Sequence, residues 1–372
     1  MLRAQKWVIS PFRMLQSRPW PLSTAVASVL DEAQPIEEEQ TPYYDPKRFY
    51  PTRLGEILNG RYQVATKLGY GTGSTVWLAR DLSQWRWLPD RFVAIKINAA
   101  DRANKRTAER ELDITQHISK ADPRHEGWHF VRVLADSFTL KGPSSDHICL
   151  VFEPLREPLW ILKDRFEGNT IPLELLKIMV QMLLHGLDYL HRVCHIIHSD
   201  LKLDNIMVRL EDKSILERDA RDEYENPLPQ KIYDDRTMYL SRNNYGRPSS
   251  FTGIISITGF GLSVKGDSLP NGCIQVEPYR APEVILDAGW TYSSDVWNLG
   301  VMLWDLLENK PLFEAVDPLE NEYDDLSHLA YITALLGPPP KELLARGKRA
   351  SNFYNSEGCS NGNQKIVVQR RN

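Results

Sequence analysis

Cysteine is scarce in this chain: Cys149, Cys194, Cys273 and Cys359 are scattered through 372 residues without a CxxC pair. That spacing excludes a disulfide scaffold and a structural zinc site, and it points to a reducing compartment. Long apolar runs are missing as well; none approaches the roughly 18 residues of a membrane-spanning helix, so no membrane partner is expected. A net charge of −4 gives no sign of general nucleic-acid binding, and charge matters here only where it is local. Acidic residues are absent before Asp31, while Arg3, Lys6, Arg13 and Arg18 are interspersed with Ser10, Ser17 and Ser23. This composition fits a mitochondrial presequence or, equally, a disordered tail.

An acidic segment, Asp31 to Glu39, follows and leads through Pro- and Tyr-containing sequence to Gly60. It reads as an extended linker, with residues 1–42 disordered or targeting and folded sequence starting near Tyr43. From Tyr62, Tyr-Gln-Val-Ala-Thr-Lys-Leu-Gly predicts a strand. Gly69-Tyr70-Gly71-Thr72-Gly73-Ser74-Thr75-Val76 then turns it back into a second strand. Residues without Cβ at Gly69 and Gly71 let backbone N–H groups approach phosphate oxygens, although plain hairpin turns use glycine too. Val93-Ala94-Ile95-Lys96-Ile97 is an apolar strand carrying one cation, and Ala108 to Ile118 has helical spacing. His147 to Phe152 predicts a buried strand running into the connector Glu153-Pro154-Leu155.

The most informative stretch is His198-Ser199-Asp200-Leu201-Lys202-Leu203-Asp204-Asn205. It spaces a carboxylate, an ammonium and an amide at +2 and +5, which suits phosphoryl transfer. In that arrangement Asp200 would accept the proton of an attacking hydroxyl, Lys202 would neutralise charge on the transferred group, and Asn205 would hold a magnesium ion. This run resembles the protein kinase catalytic loop. Further motifs follow in the kinase order. Gly259-Phe260-Gly261 aligns with Asp-Phe-Gly, Glu277 to Glu283 resembles the end of an activation segment, and Ser293 to Gly300 resembles the large-lobe core helix.

The resemblance spans residues 60 to 355. Trp77, the connector sequence and the placement of an insertion at residues 211–250 make it most similar to SR-protein kinases and their fungal relatives. It implies an α+β, bilobal protein kinase-like fold, with a small β-rich N-lobe and a mainly helical C-lobe. Residues 43–155 form the N-lobe and 156–355 the C-lobe, whose insertion is partly disordered and whose final helices are missing, before a disordered tail at 356–372. ATP contacts fall on Leu68, Gly69, Gly71, Ser74, Val76, Ala94, Lys96, Glu111, Phe152, Glu153 and Leu155. Glu111 pairs with Lys96, with Glu109 as the alternative. Asp200 and Lys202 are catalytic, Asn205 binds metal, and Glu283 and Asp295 are structural, the latter accepting from the catalytic-loop backbone.

Glycine stands at 259 where the family carries its main magnesium carboxylate, so the cofactors are ATP and a weakly held Mg2+. Two readings remain: a serine/threonine kinase for Arg/Ser-rich proteins, or a pseudokinase that binds nucleotide or protein. Ser199 takes the place of the arginine by which most regulated kinases grip a phosphorylated activation loop, so no such phosphorylation is expected. The acidic run from Glu314 to Asp325 is a candidate dock for basic peptides, or a solvated loop. Glu283 is expected to lack a partner, with Arg346 and Arg349 near enough to approach it. A monomer acting in cytoplasm and nucleus, or in mitochondria, completes the expectation.

Overall fold

The computed structural model describes residues 15–100, 102–143, 145–246, 254–266, 272–313, 315 and 322–355. The chain forms two compact units: residues 1–112, 133–156 and 210–251 make the first, and 113–132, 157–209 and 252–372 the second.

The first unit is built on an antiparallel sheet of β1 (Ile57–Leu58), β2 (Tyr62–Gly71), β3 (Ser74–Asp81), β4 (Phe92–Asn98), β5 (Leu134–Lys141) and β6 (Asp146–Phe152), in the order β1-β2-β3-β4-β6-β5. Period-two alternation divides the side chains between its faces. Val64, Trp77, Ala79, Val93, Ile95, Ile97 and Val151 pack together, while Leu78 and Phe92 join a separate cluster with Leu216 and Ala220. Helix α1 (Arg102–Lys120) begins in this unit.

Three expectations are corrected here. Residues 211–250 were expected to be a partly disordered insertion of the C-lobe. They instead contain α4 (Ser214–Glu225) and the hairpin of β9 (Gln230–Ile232) and β10 (Thr237–Tyr239), and they belong to the first unit. Leu216 and Ala220 lie one helical turn apart and bury against the sheet, which supplies the apolar partner that α4 lacks alone. Residues 15–42 are likewise packed rather than disordered. Gln16 bridges to Trp85 and Val29 to Gln230. The guanidinium groups of Arg80 and Arg221 lie 4.9 and 5.5 Å from the centre of the Trp20 ring. The acidic triplet meets lysines: Glu38 pairs with Lys67 and Glu39 with Lys231. The boundary after residue 155 also shifts, because Arg156 is buried beside Glu211 at 2.7 Å.

The second unit is mainly helical: α2 (Leu159–Lys163), α3 (Leu173–Asp188), α5 (Pro282–Ile285), α6 (Ser293–Glu308), α7 (Asp325–Leu336), α8 (Lys341–Arg346) and α9 (Ala350–Phe353). Short antiparallel pairs, β7 (Ile196–Ile197) with β12 (Val264–Lys265) and β8 (Ile206–Val208) with β11 (Ile255–Ile257), bracket the loop from 198 to 205.

Asp324 and Asp325 are drawn into the fold rather than left as a dock. Asp324 caps α7 by accepting from the Ser327 amide, and Asp325 pairs with Arg280 at 3.3 Å and Arg349 at 2.7 Å. Glu322 is exposed, whereas Glu314, Asp317 and Glu320 lie outside the described residues.

Behind this cluster His328 is fully buried, 3.1 Å from the Tyr323 hydroxyl. Burial, then the Arg280 charge, pushes its pKa down to about 4, with Asp325 opposing. The unfolded chain takes up this proton near pH 6.5 and the folded chain near pH 4, so folding stability is complete above pH 6.5 and falls as pH drops to 4. The span corresponds to a loss on the order of 3 kcal/mol. Urea unfolding of wild type and His328→Gln across this range is expected to show a flatter profile for the variant.

Candidate active site

In the first unit β2 and β3 form the expected hairpin, with Gly71 opposite Ser74 and Gly69 opposite Val76. Gly69 and Gly71 both have negative φ, and a Cβ at either position would come no closer than 3.9 Å to another group. The fold itself therefore does not require glycine at either position. Lys96 on β4 lies opposite Val76, and Ala94 lies between Leu78 and Phe152. The Lys96 ammonium donates to both carboxylate oxygens of Glu111, each at 2.7 Å, and Glu111 is buried. Glu109, the alternative partner, is exposed. At the end of β6, Phe152 and Leu155 are buried, while the exposed Glu153 carboxylate accepts from Lys213 at 2.7 Å. Leu68 is half-buried against the cluster of Leu78 and Leu216.

In the second unit Asp295 is fully buried near the start of α6. It accepts from the His198 and Ser199 amides and sits 2.8 Å from His191 Nε2. This holds Ser199 at φ 63°, in a left-handed conformation that few non-glycine residues adopt. The Ser199 hydroxyl donates to the Leu262 carbonyl at 2.8 Å, and the Ser263 hydroxyl donates to the His198 carbonyl at 3.0 Å. The catalytic loop and the segment after Gly259 are thus tied together by two small hydroxyls. Nothing in the sequence around Ser199 signals its bond to the Leu262 carbonyl, 63 residues away.

The same loop turns Asp200, Lys202 and Asn205 together. The Asn205 amide nitrogen donates to the Asp200 carbonyl at 2.7 Å and to its carboxylate at 3.0 Å. Lys202 lies 3.5 Å from the Asp200 carboxylate. Asp200 is therefore oriented from two sides and keeps oxygen lone pairs for a proton. Gly259 sits at φ 82°, and the next residue, Phe260, stacks edge-on to His198. A Cβ at 259 would meet the Asn205 side chain at 2.2 Å, so Asn205 fills the space that a side chain here needs. Among the described residues no group of three His, Cys, Asp or Glu is placed to hold a metal. Asp204 is exposed, and Asp267 lies outside the described residues.

Glu283 differs from expectation. Its carboxylate accepts from the Ser293 hydroxyl at 3.1 Å, and Arg349 is engaged by Asp325 instead.

The protein kinase domain family matches residues 62–361 of the chain. A serine/threonine protein kinase of Aspergillus fumigatus is 36% identical over 350 residues, covering 93% of this chain and 83% of that protein. The serine/threonine-protein kinase SRPK of Physarum polycephalum is 32% identical over 343 residues, covering 87% of this chain and 78% of that one. A kinase domain of known crystal structure shares the fold with a TM-score of 0.64 at 24% identity, covering 87% and 85% of the two chains. The Lys96–Glu111 pair, the anchored loop and these similarities agree: the chain belongs to the protein kinase family and is a serine/threonine kinase related to the SRPK group.

Proposed function

We propose that the protein transfers the γ-phosphoryl group of ATP to serine or threonine in Arg/Ser-rich proteins, with a weakened magnesium site and no need for activation-loop phosphorylation. The observation that carries this reading is the Asp200 carboxylate, held by Asn205 and Lys202 with accepting capacity to spare. Family membership brings ATP, a divalent metal and a protein substrate. A divalent ion held at this site would supply positive charge against the phosphate oxygens. Asn205 Oδ1 suits such an ion, but glycine at 259 contributes no side-chain oxygen, so fewer protein ligands are at hand.

The roles then divide by unit. In the first, the bare backbone at Gly69 and Gly71 and the Lys96 ammonium receive phosphate oxygens, while Leu68, Val76, Ala94 and Phe152 supply apolar surface for the base. The main chain at Glu153 and Leu155 supplies its polar contacts. In the second, Asp200 takes the hydroxyl proton and Lys202 offsets charge on the transferred group. Similarity to a kinase named SRPK supports the Arg/Ser preference. Ser199, satisfied by the Leu262 carbonyl, supports independence from a phosphorylated loop.

The test is transfer from radiolabelled ATP to an Arg-Ser repeat peptide and to a Lys-Ser control. Wild type is expected to prefer the Arg-Ser peptide, and Asp200→Asn is expected to lose about 10²- to 10⁴-fold in rate. Equal labelling of both peptides removes the substrate assignment. The Gly259 position favours a second reading, a nucleotide-binding pseudokinase. ATP binding that is indifferent to magnesium, with no transfer to either peptide, selects it.

A further inference from the structure

The acidic segment ahead of the sheet does more than cover it. Lys67 on β2 is almost completely buried, two residues before Gly69. Its ammonium pairs with Glu38, lies 3.4 Å from Glu37, and donates to the Tyr239 carbonyl at 3.0 Å. Glu37 in turn accepts from the Ser241 amide at 3.0 Å and the Ser241 hydroxyl at 2.6 Å. The Arg242 amide donates to the Lys67 carbonyl at 2.8 Å. Glu39 continues the series one residue on, pairing with Lys231 at 2.7 Å and accepting from the Tyr233 hydroxyl at 2.8 Å. Three consecutive glutamates thus connect β2 to the β9–β10 hairpin of the insertion.

The grip falls at one level of the glycine hairpin. Lys67 is opposite Trp77 on β3, and the Trp77 ring packs edge-on against Tyr239, 5.7 Å between centroids. Both strands are therefore held by the same piece of the insertion. β2 also breaks register between Lys67 and Gly69, so the backbone bends immediately beyond the grip. Past this level the pairing of Gly69 to Gly71 with Ser74 to Val76 continues, and Gly73 accepts from the Ala99 amide at 2.9 Å. A glutamate does not reach into β2 beyond Lys67 among these contacts.

We propose that Glu37 and Glu38, braced by Ser241, form a clasp that fixes the fulcrum of the glycine hairpin, making Lys67 a positioning residue for nucleotide rather than a contact to it. Its ammonium is consumed by two carboxylates and a carbonyl and is withdrawn from solvent. Its effect on a ligand passes through the backbone of Leu68 and Gly69. The nucleotide part of this inference rests on the reading of the hairpin as a phosphate lid; the mechanical part does not.

The experiment therefore has two readouts on the full-length protein. Hydrogen–deuterium exchange of the amides from 68 to 76 is expected to quicken about tenfold in Lys67→Met, with β5 and β6 unchanged. ATP affinity, by calorimetric titration, is expected to weaken about fivefold. Lys67→Arg, which keeps the charge, is expected to restore most of both. Unchanged exchange in the hairpin of Lys67→Met overturns the clasp. Faster exchange with unchanged ATP affinity overturns Lys67 as a positioning residue. Wild type that fails to bind ATP removes the phosphate-lid reading, and the exchange result still judges the clasp. Should Lys67→Met not fold, Ser241→Ala is measured instead, with hairpin exchange expected to rise about threefold; no change there overturns the proposal.

Discussion

Gly259→Asp is expected to raise magnesium-dependent phosphoryl transfer by about 10²-fold or more while lowering stability in the absence of metal. The gain follows from supplying a charged ligand where charge must be offset during transfer. The loss follows from geometry. A Cβ at 259 lies 2.2 Å from Asn205 Oδ1 and 2.4 Å from its Cγ, so the amide must swing away. Doing so breaks its bonds to the Asp200 carbonyl and carboxylate, a cost to the orientation of Asp200 that the gain from the added ligand is expected to outweigh. Two such bonds are together worth about 1–3 kcal/mol. The left-handed backbone at φ 82° adds little for aspartate, which visits that region more readily than most residues. Gly259→Ala separates the terms: it carries the steric cost and returns no ligand, so it is expected to lower stability in the presence and absence of magnesium alike. Urea unfolding in EDTA and in magnesium, with transfer assayed in parallel, reads all of these. A Gly259→Asp protein that binds magnesium more tightly yet transfers no faster would place the defect elsewhere in the site.

Replacing Asp295 is expected to have the largest effect on folding. Asp295→Ala leaves the His198 and Ser199 amides and the His191 ring facing a void, with all but His191 fully buried. Removing one side of a buried charged hydrogen-bond cluster costs about 3–5 kcal/mol. Ser199 then has nothing to hold it at φ 63°, and relaxation of that residue turns Asp200, its neighbour, out of place. Thermal unfolding is therefore expected to shift well below wild type, and transfer is expected to be lost even at temperatures where the variant remains folded. Asp295→Asn keeps one acceptor and is expected to lose less on both measures. A stable Asp295→Ala protein with normal transfer would show that the loop holds itself.

Much of the candidate site's geometry is legible in the sequence, since its groups sit in short motifs. Lys96 is marked by a lone cation in an apolar strand, Glu111 by its Arg-Glu-Leu context on the following helix, and Asp200 and Asn205 by their offsets within one loop. What could not be read depended on partners distant in the chain. Residues 211–250 read as partly disordered because their charge in sequence has no visible counter-charge. Arg242 pairs with Glu223 and Arg156 with Glu211, which leaves Leu216 and Ala220 free to bury. Glu37 to Glu39 looked like a solvated linker because Lys67 and Lys231 lie far along the chain. Asp324 and Asp325 looked like a basic-peptide dock, but one is a helix cap and the other neutralises two arginines.

The ordering of residues 15–50 sets the minimal folding unit apart from the stretch that matches the family, which begins at residue 62. A fragment cut to that match retains Lys67 and Lys231, both almost completely buried, and removes Glu38 and Glu39. It thereby trades neutral interior pairs for orphaned cations, each worth several kcal/mol against folding. Expression trials trimmed to the family borders are on this account trials of a different and weaker molecule.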